Sequence, residues 1–200
     1  MEIRLTIRHV CLKNIMGSGL GPHISLVTGK RRELLKMPVA SIVDWYGPYR
    51  SYNRFVSEAQ QITTNRCVYM GVGGTADKLR VVYIGLSTRP NTRFANHHAL
   101  TSPDIKLFFI GEITTSGLPG RRRKKVPTDL DATEHALIAY LAPELNVRRK
   151  NTLPEDCVSV FSRFFGRNNW DKPKPTPYFF PPLIAFNTYS GEWHPEQQLN

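Results

Sequence analysis

The 200-residue sequence contains few cysteines, few acidic residues and no long apolar run. Its three cysteines (Cys11, Cys67 and Cys157) are odd in number and far apart, which fits neither a disulfide framework nor a zinc knuckle. They indicate a reducing compartment. The first ten residues alternate apolar and charged side chains, and no later apolar run is long enough to cross a bilayer. We therefore expect a cytoplasmic protein with no signal peptide and no membrane span.

The acidic deficit gives the chain a strongly basic character. Lys and Arg number 27 against 16 Asp and Glu, for a formal net charge of +11 and a pI near 9.8. Such an excess favours a polyanionic partner, nucleic acid first and an anionic membrane surface second. The hydrophobic content of 40% and charged content of 22% are those of a globular protein. At this length, one domain with elaborations is the simplest organisation.

The stretch from residue 66 to residue 98 concentrates the residues capable of chemistry. Two β-type runs, 67–72 and 79–86, flank Gly73-Gly74, which predicts a β-hairpin with its turn at the glycines. Each run carries a tyrosine, Tyr69 and Tyr83. A helix predicted near 92–100 would place Arg93 and His97, four residues apart, on one face. Two phenols, a guanidinium and an imidazole can then meet on a common surface.

A second helix, predicted over 129–142, contains a carboxylate in an unexpected place. Its apolar stripe consists of Leu130, Leu137, Ile138 and Leu141, and Glu134 lies on that same stripe. A carboxylate on the core side of a helix is costly unless it is paired, hydrogen-bonded or bound to a cation. The two interpretations are an ion pair with an arginine such as Arg93, and a metal ligand. His135, one position further, should face outward without a role.

Several basic segments are candidate contacts to nucleic acid. Residues 45–55 mix aromatic side chains with arginines, which suits base stacking but equally suits an ordinary lid packed over a core. Five consecutive cations at 121–125 must be solvated or lie against phosphates. The predicted nucleic-acid contacts are Arg50, Arg54, Arg121, Arg122, Arg123, Lys124, Lys125, Arg148 and Arg149.

The remaining elements are predicted from local pattern. Residues 2–12 alternate like a half-buried strand, and 51–60 are predicted to be helical. The run Ile105–Ile113 is a β-prone third strand. Residues 156–165 fit a strand or a short helix. The proline-rich tail from residue 166 is too apolar for free disorder and is expected to wrap the domain.

These residues together resemble the core of the GIY-YIG nucleases. Tyr83-Ile84-Gly85 matches the second half of that motif, with Arg93 and His97 following at the family spacing. The sequence A-T-E-H-A-L-I-A-Y-L-A-P-E-L-N resembles the family's closing helix, with Glu134 and Asn146 in the corresponding places. The first half departs from the pattern, because Cys67-Val68-Tyr69 stands where Gly-Ile-Tyr is usual. The resemblance covers about residues 66–147.

The resemblance implies a fold and a domain organisation. The fold is α/β: a small, mainly antiparallel sheet, formed by the hairpin and the third strand and flanked by helices. Residues 66–150 would be the catalytic core. Residues 1–65 would be an N-terminal elaboration with a DNA-contacting segment, and residues 151–200 a C-terminal extension that wraps the core.

The resemblance also implies a one-metal hydrolysis of a phosphodiester. Glu134 would bind a divalent ion, Mg²⁺ or else Mn²⁺, whose other ligands are water and phosphate oxygens. Tyr69 would act as or position the general base, with its pKa lowered by the metal or by Arg93, and Tyr83 would bind near the nucleophile. Arg93 would clamp the scissile phosphate. The implied catalytic residues are Tyr69, Tyr83, Arg93, His97, Glu134 and Asn146.

The expected partner is double-stranded DNA, cut by a stand-alone, sequence-specific restriction-type enzyme. A homing, repair or defence nuclease is an alternative within the class, and a homodimer would allow both strands to be cut. A different class of function is a nucleic-acid-binding module that kept this fold and lost catalysis, which the Cys67-Val68 departure supports. RNA is a third, weaker candidate substrate.

Overall fold

The computed structural model describes residues 38–61, 66–94, 97–115, 128–166 and 169–195. The predicted strand over 2–12 and the predicted phosphate contacts at 121–125 lie outside these residues. Among the described residues, no helix has both the length and the apolar character needed to cross a membrane.

The described residues form eight strands, three α-helices and one 3₁₀ helix. The strands are β1 (Val39–Tyr49), β2 (Cys67–Thr75), β3 (Lys78–Ser87), β4 (Ile105–Ile113), β5 (Val158–Gly166), β6 (Asn169–Lys174), β7 (Leu183–Asn187) and β8 (Glu192–Pro195). The helices are α1 (Tyr52–Ala59), α2 (Pro90–Arg93) and α3 (Thr128–Leu141), with the 3₁₀ helix at His98–Thr101. The predicted third strand and the helix within 51–60 are confirmed, and the segment 156–165, expected to be a strand or a short helix, belongs to strand β5.

All eight strands belong to one sheet with the order β3-β2-β4-β1-β5-β7-β8, in which β6 also pairs with β5. The predicted α/β class is confirmed. The sheet is larger than predicted and mixed, because β1 pairs in parallel with β5 and antiparallel with β4. Local pattern could not show this, since the pairing joins segments more than 100 residues apart. Strands from all three predicted segments, 1–65, 66–150 and 151–200, therefore share the sheet.

The hairpin forms as predicted, but its turn lies elsewhere. The strands continue to Thr75 and Lys78, which pair directly and leave Ala76-Asp77 as a two-residue turn. Gly73 and Gly74 are inside β2. A Cβ atom on Gly73 would lie 2.3 Å from the backbone oxygen of Asp104. Close approach of the chain, not the turn, requires this glycine.

The aromatic residues at 45–55 mostly build the core. Trp45, Tyr46 and Tyr49 on β1 and Phe55 on α1 are buried, and the indole of Trp45 donates to Ser162 Oγ at 3.1 Å. These four side chains pack within the protein, in line with the second interpretation of the stretch, and the prediction that they stack on bases is wrong. The two arginines of the stretch, Arg50 and Arg54, are exposed.

The single helix predicted near 92–100 is wrong. α2 ends at Arg93, and the next helical turn, the 3₁₀ helix, begins at His98. Phe94 and Leu100 are both 1% exposed and enter the same core cluster. Residues six apart point in different directions from one continuous α-helix, so both can enter that cluster only if the helix is interrupted. Arg93 and His97 consequently do not share a helix face.

Helix α3 packs on the sheet with the predicted face. Leu130, Leu137 and Ile138 are buried against strands that include β1, β3 and β5. Burial of each such side chain contributes about 1.5–3 kcal/mol. This packing fixes the position of Glu134, which lies on the same helix one turn beyond Leu130.

Candidate active site

Tyr69 lies in the middle of β2, completely buried, with its ring across Gly85 of β3. The two residues are register partners, and a Cβ atom on Gly85 would lie 2.5 Å from Tyr69 Cζ. Tyr83 pairs with Gly71 on the same two strands, and the two tyrosine rings are 6.1 Å apart between centroids. The glycine of the Tyr83-Ile84-Gly85 sequence therefore provides the space that Tyr69 occupies.

His97 joins the two phenols. Its Nε2 atom is 2.8 Å from the hydroxyl of Tyr69 and 3.4 Å from the hydroxyl of Tyr83. The ring is 8% exposed, and its Nδ1 atom has no hydrogen-bond partner among the described residues. Burial, and next the positive charge of Arg93, lower the pKa of His97 below its ordinary value. The imidazole is thus neutral near pH 7, and Nε2 can accept a proton.

Burial has the opposite effect on Tyr69. It raises the pKa of the phenol far above its ordinary value, and the nearby Arg93 lowers that pKa only in part. The expectation that Arg93 would make Tyr69 a ready general base does not agree with this balance. Tyr69 is a protonated hydroxyl that donates to His97 Nε2, so His97 is the better proton acceptor of the pair.

Arg93 reaches the same place from α2. Its side chain is exposed but hydrogen-bonds Tyr69, and this bond is the main reason that the pKa of Arg93 is raised. The negative charge of Glu134 acts on it as well. Arg93 therefore presents a permanent positive charge at the rim of the tyrosine and histidine group.

Glu134 lies on α3 and forms an ion pair, which was one of the two interpretations of the sequence. Its partner is Arg149 and not Arg93. Its Oε2 atom accepts a hydrogen bond of 2.7 Å from Arg149 Nη1, and the backbone N–H of Leu86 donates to the same carboxylate. The side chain is 15% exposed. Burial raises the pKa of Glu134, and Arg149 opposes that shift.

Arg149 differs most from its predicted role as a DNA contact. Besides Glu134, its guanidinium binds Asp131 through the carboxylate, at 2.6 Å, and through the backbone oxygen, at 3.0 Å. Its backbone φ of +66° is a left-handed conformation that most residues avoid. Sequence reasoning missed this position, because nothing local indicates that an arginine fifteen residues downstream returns to the helix.

The side chain of Asn146 hydrogen-bonds to the backbone of strand β3. Its side-chain oxygen accepts from the backbone N–H of Ile84 at 2.9 Å, and its amide donates to the oxygen of Ile84 at 2.8 Å. Asn146 thus fixes the strand residue between Tyr83 and Gly85. Its contribution to the site is through the position of these neighbours.

Comparisons with family models, with curated proteins and with solved structures find no match for this chain. The resemblance to the GIY-YIG nucleases accordingly rests on the residues themselves and stays a prediction.

A divalent ion has one suitable ligand in this site. No group of three or more His, Cys, Asp or Glu side chains in the described parts of the chain could hold a metal. The carboxylate of Glu134 does fit an ion such as Mg²⁺, which prefers oxygen and takes most of its ligands from water and phosphate. Arg149 would share that carboxylate with the ion.

The predicted basic contacts separate into three groups. Arg50, Arg54 and Arg148 are exposed, and Arg149 is engaged with two carboxylates. The run 121–125 lies outside the described residues. Exposed positive charge is therefore available on α1 and on the loop after α3.

Proposed function

We propose that this protein is a metal-dependent endonuclease of the GIY-YIG type that hydrolyses phosphodiester bonds in double-stranded DNA. One observation carries the proposal. Five side chains contact or electrostatically influence one another at a single place, although they come from separate elements: β2, β3, α2, α3 and the segment before the 3₁₀ helix. They are Tyr69, Tyr83, Arg93, His97 and Glu134. A folded chain has no structural need to gather two phenols, an imidazole, a guanidinium and a carboxylate of these types.

The group contains what hydrolysis of a phosphodiester requires from a protein. Neutral His97 accepts a proton at Nε2 from the hydroxyl of Tyr69, which takes a proton in turn from the attacking water, and the hydroxyl of Tyr83 beside them orients that water. Arg93, at the exposed rim, binds the scissile phosphate with its planar guanidinium. In this assignment His97 has the role of base, and Tyr69 passes the proton of the water to it.

Glu134 is the residue that would hold Mg²⁺ or Mn²⁺. A bound divalent ion supplies Lewis-acid stabilisation of developing negative charge. Glu134 is suited to this because the backbone of Leu86 and the guanidinium of Arg149 fix the direction of its carboxylate. Deletion of the carboxylate removes the only part of the group that prefers a hard cation.

We infer a restriction-type enzyme within this class. The antiparallel β3-β2-β4 part of the sheet corresponds to the small sheet expected of the family, and β1 with β5–β8 enlarges it. The net charge of +11 suits a protein that binds DNA. A homodimer would bring two such sites to the two strands, and a homing, repair or defence role is the alternative within the class.

A nucleic-acid-binding module without catalysis is the second candidate, and two observations favour it. Arg149 occupies the Glu134 carboxylate at 2.7 Å, and Cys67-Val68 replaces the usual first residues of the motif. Such a protein would bind DNA through its exposed cations and leave it intact with any divalent ion.

The test is a cutting assay on a long, unmodified, mixed-sequence duplex DNA, with Mg²⁺ and with EDTA. Glu134→Ala is compared with Glu144→Ala, because Glu144 is an exposed carboxylate, 60% accessible, that pairs with Arg80. We expect discrete bands that require metal, disappear with Glu134→Ala and persist with Glu144→Ala. A metal-dependent smear would retain the nuclease and remove sequence specificity. Intact DNA that is nevertheless bound would establish the binding module, and RNA as competitor would identify an RNA preference.

A further inference from the structure

The described arginines differ in whether a carboxylate neutralises them. Four of them form ion pairs: Arg66 with Asp129, Arg80 with Glu144, Arg149 with Asp131 and Glu134, and Arg163 with Asp44. Arg89 forms no ion pair with any described residue, and Arg93 bonds a neutral phenol. Both are exposed. Among the described residues, Arg89 is therefore an exposed arginine without an ion pair, four positions before the active-site residue Arg93.

These two arginines line the same cleft, of about 450 Å³. Its lining consists of Leu86, Ser87, Thr88, Arg89, Thr92 and Arg93. The described residues that line it supply two guanidinium groups, three hydroxyls and no acidic side chain. The cleft adjoins the active-site group, because two of its lining residues, Leu86 and Arg93, interact with Glu134 and Tyr69 respectively.

The backbone of Arg89 is fixed although its side chain is exposed. Its N–H donates to Ser87 Oγ at 3.0 Å, and its oxygen accepts from the N–H groups of Arg93, at 3.0 Å, and Thr92, at 3.2 Å. Arg89 and Arg93 are thus one helical turn apart on a closed turn. A fixed attachment point reduces the ordering cost when such a side chain binds a ligand.

We propose that this cleft is a second phosphate site, in which Arg89 binds the phosphodiester next to the one held by Arg93 on the same strand. The proposal rests on the proposed function for its substrate. Arg89 precedes the first residue of α2, and its side chain and that of Arg93 line the same cleft. Successive phosphates of one strand advance by about 3.4 Å along the helix axis, so two flexible guanidinium groups can bind neighbouring phosphates. Arg89 thereby determines the direction in which the cut strand leaves the site.

The test measures DNA binding without cutting. The dissociation constant for a defined duplex is determined between roughly 50 and 200 mM salt. The proteins compared are the Glu134→Ala variant with Arg89 intact and the same variant with Arg89→Ala or Arg89→Lys. Arg80→Ala is the matched control, because Arg80 is an exposed arginine of β3 already neutralised by Glu144. The affinity falls with salt, and the slope of its logarithm against the logarithm of the salt concentration should be smaller by about 0.9 when one phosphate contact is lost. Over this fourfold range of salt, the variant's loss of affinity is then about 3.5-fold smaller than that of the parent. We expect this change with Arg89→Ala, and the parental slope with Arg89→Lys and Arg80→Ala.

Each outcome separates the inference from the proposed function. An unchanged slope with Arg89→Ala, in a protein that still binds DNA, overturns the second phosphate site and leaves the nuclease proposal intact. Failure of every variant to bind DNA removes both. If Arg89→Ala weakens binding of inorganic phosphate alone while the DNA slope is unchanged, the cleft is a site for free anions and the proposal is equally overturned.

Discussion

Replacement of Arg149 by methionine should destabilise the protein in a way that depends on pH. Arg149 makes three hydrogen bonds, at 2.7 Å to Glu134, and at 2.6 and 3.0 Å to Asp131. Methionine keeps much of the apolar stem and removes the charge. Two carboxylates on one helix face would then lie close together without their common partner.

The magnitude follows from partial burial of the three side chains. Removal of one member of a fully buried pair costs about 3–5 kcal/mol, whereas exposed pairs contribute about 0–1 kcal/mol. Here Arg149 is 29% exposed, Asp131 21% and Glu134 15%. An intermediate loss of about 2 kcal/mol at pH 7 is expected, which lowers the melting temperature of a chain of this size by about 4–8 °C.

The pH dependence has a definite sign. Burial already raises the pKa of Glu134 above its ordinary value, and loss of Arg149 raises it further. A carboxyl with a raised pKa in the folded state binds its proton more tightly there, so stability falls as pH rises from the unfolded pKa through the folded one. The defect of Arg149→Met should therefore be small near pH 4 and complete at neutral pH.

Thermal unfolding followed by circular dichroism between pH 4 and pH 8 measures both features. Arg148→Met is the control, since Arg148 is the exposed neighbour in the same loop. Glu134→Gln added to Arg149→Met should restore part of the stability at pH 7. Equal effects of Arg148→Met and Arg149→Met, or a defect that is the same at every pH, would refute the assignment of Arg149 to the buried ion pair.

Two further predictions concern the tyrosine and histidine group. Gly85→Ala places a Cβ atom 2.5 Å from Tyr69 Cζ, so the ring must move; we expect a loss of about 1–3 kcal/mol in denaturant unfolding together with loss of DNA cutting, and a wild-type unfolding curve would contradict the close contact. The lowered pKa of His97 predicts an imidazole titration below 6.5 by NMR, and stability that is present above the unfolded pKa and lost as pH falls. A His97 titration at or above 6.5 would show that the ring is not buried as described.

The sequence was sufficient for the elements that local pattern specifies. High β-propensity predicted β4, and the apolar stripe predicted α3 with Glu134 on its inner side. The predicted hairpin placed Tyr69 and Tyr83 on neighbouring strands, as the structure does, although the turn lies at Ala76-Asp77 and not at the glycines.

Features that depend on distant partners could not be predicted in the same way. Strand β1 pairs in parallel with β5, and Arg149 returns to α3. In both cases the local sequence of one partner contains no information about the other. The interruption after Arg93 also follows from tertiary packing, because burial of Phe94 and Leu100 in the core stabilises the chain more than continuation of the helix would. The role of Tyr69 changed for a related reason: the degree of burial, which sets its pKa, is invisible in the sequence.

The position of β1 has a practical consequence for anyone who wishes to excise the part of the chain that contains the candidate site. Eight residues of β1, from Val39 to Tyr46, hydrogen-bond in register with β5, and Arg163 clamps Asp44 across the two strands at 2.7 Å. A fragment ending at residue 150 would leave this long, apolar strand as an unprotected sheet edge. Such edges recruit other chains and cause aggregation. Residues 158–166 therefore have to accompany any soluble fragment that contains the candidate site.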